Sequence, residues 1–181
     1  MESVDFLWLE RQAVQLGETS ERLRQAQLRA ARMRQEAMFS LHVLGLSVRG
    51  IAARLGVSAA VVQASLKAAR DRRPRLRDRH ERVPYELHIA LLQKLDQDEA
   101  AVREIGRGGV ENLRSRVRGS LAEGWVDQWV ALLDGPLAEL EEAMLEDSEV
   151  GMELRQLSPF AGALSEQERI IALKKAAALA T

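Results

Sequence analysis

At 181 residues the chain is long enough for one substantial domain or two small ones, and its 46% hydrophobic content suffices for a core. The absence of cysteine excludes disulfides and thiolate metal sites, and His42, His80 and His88 are too scattered to form a ligand pair. The formal charge of −1 hides a split: residues 1–83 carry 16 Lys/Arg against 9 Asp/Glu, while residues 84–181 carry 10 against 18. Such a division suits one half to a polyanion and leaves the other for a different partner or for solvent.

Ala, Leu, Arg, Glu and Gln dominate and only four prolines interrupt them, so an all-α fold is expected. No run approaches the ~20 apolar residues that would span a membrane. The opening Met1-Glu2-Ser3-Val4-Asp5 is acidic where a secretory signal would be basic, and a cytoplasmic location is expected. No cofactor is indicated.

In chain order, Val4 to Leu16 reads as a short amphipathic helix with Trp8 buried on a neighbour. Gly17 breaks it, and Thr19 or Ser20 caps the next helix, from about Glu21 to Val43. Along that helix Leu23, Ala26, Ala30, Met33 and Ala37 recur at spacings of three and four. This seam suits either a dimer contact or packing on the chain's own core. Gly45 punctuates, Ser47 caps a helix from Val48 to Leu55, Gly56 supplies a turn, and Ser58 caps a helix to about Arg70. Asp71 to His80, charged and holding Pro74, reads as a linker. The expected domains are therefore residues 1–80 and an acidic helical domain, residues 81–181, for oligomerisation or partner binding.

Within the second half, helices are expected from Tyr85 to Leu95, Asp98 to Ile105, Val110 to Gly119, Leu121 to Leu133 and from Leu137 to Leu145. Gly106, Gly108 and Gly109 form a break between two of them. Trp125 and Trp129, spaced by four, share a face, and with Leu154 and Phe160 they are expected in the core. Leu154 to Gly162 reads as a turn, and Ser165-Glu166-Gln167-Glu168 fits a capping box opening a last helix through Leu173. The carboxylates Glu139, Glu141, Glu142, Glu146, Asp147 and Glu149 read as a solvated face, and no catalytic or phosphate-loop pattern is present. An enzymatic role is not expected.

The segment Ser47 to Lys67 carries the most specific pattern. In a helix pair of this kind Ile51 and Ala52 pack the first helix on the second, and any side chain larger than alanine at position 52 would push the two apart. Leu55, Gly56 and Val57 follow, and Val62 and Leu66 face back from the second helix. This arrangement resembles the helix-turn-helix family of DNA-binding regulators. The resemblance implies that Ser58, Ala59, Ala60, Gln63, Ala64 and Lys67 face base edges. Gln63 suits adenine, and Lys67 reaches guanine or a phosphate. Arg49, Arg54, Arg70, Arg72, Arg73, Arg75 and Arg77, together with Arg79, are then expected to hold phosphates or to form a minor-groove arm. Arg22, Arg24, Arg29, Arg32 and Arg34 could flank the duplex. Double-stranded DNA and a second copy of the chain are the expected partners, since a single module binds weakly.

Residues 154–164, in the setting of roughly residues 80 to 175, look similar to bacterial helix-turn-helix proteins of antitoxin type, in which a helical part engages a toxin. The readings left open are a repressor, an antitoxin that regulates its own operon, a plasmid-partition or recombination accessory protein, and a hairpin used only for protein contacts.

Overall fold

The computed structural model describes residues 2–76 and 78–179, with side chains from Phe6 onward. These residues form nine helices and no strand, so the all-α expectation holds. The helices are α1 (Glu2–Val43), α2 (Val48–Leu55), α3 (Ala59–Asp71), α4 (Arg79–Gln97), α5 (Glu99–Arg116), α6 (Ser120–Asp134), α7 (Leu137–Leu145), α8 (Glu149–Gln156) and α9 (Glu166–Ala178). They fall into two compact units: Met1–His42 with Leu46–Asp71, and Val43–Gly45 with Arg72–Thr181. The division thus precedes the charged segment that sequence reading placed inside the first domain.

In the first unit, α1 is one helix of 42 residues where two were expected. Gly17 does not break it: an exposed helical glycine costs only about 1 kcal/mol, and the surrounding Ala, Leu, Gln, Glu and Arg are strong helix formers. Thr19 caps nothing; its hydroxyl donates to the Gln15 carbonyl at 2.8 Å, inside the helix. Trp8 is 59% exposed rather than buried, and Leu9, Leu16 and Leu23 are equally open. Burial begins at the far end of the helix, with Glu36, Met38 and Phe39. There Gly45, at φ +102°, turns the chain. The Leu46 amide donates to the Leu41 carbonyl at 3.1 Å, and His42 Nδ1 lies 3.0 Å from the Leu46 carbonyl oxygen.

The second unit is built around α4, which packs on α5, α7, α8 and α9. Its core joins Leu91, Leu95, Val102, Val110, Val126, Trp129, Leu133, Leu140, Met144, Leu154 and Phe160, with Trp125 packed against it partly buried. Trp129 is fully buried and its indole nitrogen donates to the Leu154 carbonyl at 3.1 Å, so the largest core side chain keeps its polar atom satisfied. Arg103 donates to the Leu132 and Leu133 carbonyls, placing a cation at the C-terminal end of α6.

Three elements differ from the sequence reading. Asp78 caps α4 by accepting the Glu81 amide at 3.0 Å, so the helix starts before Pro84 and carries it internally. The glycines of the Gly106–Gly109 run lie inside α5, not between helices. Gly106 meets Leu133 and Phe160, and Gly109 meets Pro159; a Cβ at Gly109 would lie 1.7 Å from the Pro159 carbonyl oxygen. These two residues, three apart on one face, let the Pro159–Phe160 turn seat on the helix backbone. Finally, Ser148 caps α8, which takes in Leu154–Gln156 from the segment read as a turn.

Candidate nucleic-acid interface

The Val48–Asp71 hairpin follows directly from its punctuation. The Ser47 hydroxyl accepts the Gly50 amide at 3.1 Å and starts α2. Gly56 adopts φ +64°, the left-handed conformation a side chain would oppose, and the Val57 amide returns to the Ala52 carbonyl at 3.1 Å. Ser58 caps α3: its hydroxyl accepts the Val61 amide at 3.3 Å and its carbonyl the Val62 amide at 3.2 Å. Between the two helices the chain turns by 112°, within the range of paired helices that present the second to a groove.

Ile51, Ala52, Val62, Leu66 and Ala69 are buried, as the packing pattern requires, and Ser65 joins them. Leu55 departs from it: at 42% exposure it stands outside this small core, and Val57 is half-buried.

All six base-reading candidates, Ser58, Ala59, Ala60, Gln63, Ala64 and Lys67, are exposed. At 3.6 residues per turn, Ala59, Arg70, Gln63, Lys67, Ala60 and Ala64 fall on one arc of about 140°. The buried residues occupy the opposite arc. Gln63 and Lys67 sit one turn apart at the centre of the open face. Lys67 pairs with Asp71 on that face, both side chains being largely exposed; such a pair exchanges readily for a phosphate or base. Asp71 is the only carboxylate between residues 46 and 76, against seven cations.

The arginines separate into different environments. Arg49, Arg54, Arg72 and Arg75 are exposed. Arg70 is also exposed, and its guanidinium lies 5.7 Å from the centre of the Phe39 ring, which fixes it at the end of α3. Arg77 lies outside the described residues. Arg73 must be removed from the phosphate-binding set. Its side chain is 4% exposed and grips Glu86 with two hydrogen bonds, while Lys175 approaches the same carboxylate at 3.4 Å. Sequence reading could not separate Arg73 from Arg72 and Arg75, because its partner lies on α4.

Among the described residues, no three His, Cys, Asp or Glu side chains converge to hold a metal ion, and no single helix is long and apolar enough to cross a membrane. A cleft of about 530 Å³ beside Gly108 and Gly109 includes Asn112, Arg116 and Ser158 in its lining, which has no carboxylate, histidine or lysine. Compared with protein-family models, curated proteins and solved structures, the chain finds no match.

Proposed function

We propose that this protein binds double-stranded DNA through α2 and α3, as a homodimer, and regulates transcription by covering a promoter. The observation that carries this reading is the open face of α3. It presents Gln63 and Lys67 one turn apart, beyond a 112° turn, in a stretch with one carboxylate among seven cations. Gln63 offers a donor and an acceptor that match adenine in the major groove, and Lys67 a donor for guanine or phosphate. Ala59, Ala60 and Ala64 offer methyl groups that suit thymine. With so few polar readers, part of the preference comes from DNA shape, while Arg49, Arg54 and Arg75 hold phosphates and supply affinity on any sequence. Such a protein works in the compartment that holds the DNA, the cytoplasm of a bacterial cell.

Selection of bound duplexes from a random-sequence pool tests the proposal. Wild-type protein should enrich one motif, and replacing Gln63 and Lys67 by alanine should blur that motif more than it weakens total binding. Enrichment of no motif, or of the same motif at the same sharpness in the double variant, would contradict it.

A further inference from the structure

In α1, Leu9, Leu16, Leu23, Ala30 and Ala37 recur every seven residues, and all five are exposed. Leu9, Leu16 and Leu23 are open by half to two-thirds. Ala26, also exposed, and Met33, half-buried, lie three residues after Leu23 and Ala30. A strict seven-residue stripe is the pattern of helices that supercoil on one another. Phe6, Leu7 and Trp8 add more open apolar surface at the same end, beyond what an isolated chain ordinarily leaves to water.

The charge along this helix is segregated. Residues 2–21 hold five carboxylates and one arginine; residues 22–35 hold five arginines and no carboxylate. We propose that a second copy of this chain covers the stripe, with the two α1 helices paired antiparallel about a two-fold axis near Leu23. A parallel pair would stack acid on acid and arginine on arginine. The antiparallel pair lays each mainly acidic half along the partner's arginine-rich half, so most charge neighbours are opposite in sign, the exceptions being Arg22 facing Arg24 and Glu10 facing Glu36. It also brings the Leu9–Leu16 end of one stripe over the Ala30–Ala37 end of the other, large side chains against small. Both orientations of two identical helices have a two-fold axis, and the segregated charge selects this one.

This assignment deepens the dimer half of the function proposed above, and its test involves no DNA, so the two readings fail separately. The full chain has no cysteine, so single cysteines for spin labels can be placed away from the stripe at Val14→Cys and Gln25→Cys without background. Sedimentation should show a dimer. The label-to-label distance should be about 30 Å for residue 14 and about 10–15 Å for residue 25, from the 1.5 Å rise per residue and an interaxial distance of 8–10 Å. Leu23→Glu should raise the dimer dissociation constant about 100-fold, one buried leucine being lost from each copy. Because Leu23 is already exposed in the single chain, that variant keeps its helical circular dichroism. A monomer at every concentration, short distances at both labels, or a Leu23→Glu dimer as tight as wild type would each overturn the pairing.

Discussion

Arg73 Nε lies 2.5 Å from Glu86 Oε1 and its Nη2 lies 3.0 Å from Oε2, a two-pronged pair with both side chains almost fully buried. An arginine from a stretch that reads as a solvated linker thus ties that stretch to α4, with Lys175 of α9 on the same carboxylate. Replacing Arg73 by alanine leaves Glu86 buried with one cation at longer range. Urea unfolding followed by tryptophan fluorescence should show a loss of about 3–5 kcal/mol. Arg75→Ala, two residues on and exposed, should stay within about 0.5 kcal/mol of wild type.

Neighbouring glycines of α5 should respond with opposite signs. At Gly109 a new methyl group meets the Pro159 backbone, so Gly109→Ala should cost about 2 kcal/mol or more by displacing the turn. A Cβ at Gly108 would meet nothing within 4 Å among the described residues, so Gly108→Ala should stabilise the helix by about 0.5–1 kcal/mol. Both are read as shifts of the urea midpoint at unchanged slope.

His88 makes the second unit sensitive to acid. It is buried, stacks at 6.1 Å on Trp129, and meets Phe160 edge-on at 6.5 Å. Its Nδ1 lies 2.7 Å from the Pro84 carbonyl, so that nitrogen carries the proton and donates, while Nε2 has no hydrogen-bond partner among the described residues. Burial lowers its pKa from the usual 6.5 to about 4, against the Pro84 bond, with nearby Arg155 adding to the lowering. Below pH 6.5 the unfolded chain therefore takes up a proton that the folded one refuses until about pH 4. Stability from this residue is full above pH 6.5, falls as pH drops through that window, and levels off below it. The loss should amount to about 3 kcal/mol, and a His88→Phe variant should lack that part of the slope between pH 7 and pH 4.5.

Local signals were legible in the sequence where a single residue decides the outcome. Ser47 and Ser58 cap α2 and α3, Gly56 turns between them, Ser165 and Glu168 form the capping box of α9, and α7 runs from Leu137 to Leu145 as expected. Signals with two physical readings went the other way. A glycine marks a helix end or a close approach; at Gly106 and Gly109 the close approach wins, because Pro159 and Phe160 arrive from fifty residues away. Pro84 forfeits one amide, yet its carbonyl accepts from His88 and the helix continues through it. The exposed face of α3 follows from helical periodicity, whereas the burial of Arg73 depends on a carboxylate that periodicity does not reveal.

An antiparallel pair of α1 helices centred near Leu23 carries its two α2–α3 ends about 60 Å apart along the rod. If that rod follows the duplex, operator half-sites should lie about two turns of B-DNA apart rather than one. Inserting five base pairs between selected half-sites should abolish the affinity gain from dimer binding, and removing ten should not restore it. Tightest binding with half-sites a single turn apart would exclude this geometry.

The groove-reading role of α3 is tested most directly by fluorescence anisotropy of a labelled selected duplex across a salt series, with wild type and two variants. For wild type, the logarithm of affinity should fall linearly with the logarithm of salt concentration. Removing Arg49, Arg54 and Arg75 together should flatten that slope by about one unit per lost phosphate contact on every sequence. Replacing Gln63 and Lys67 by alanine should instead erase most of the preference for the selected duplex over a scrambled one. The same preference and the same slope in all three proteins would contradict the account.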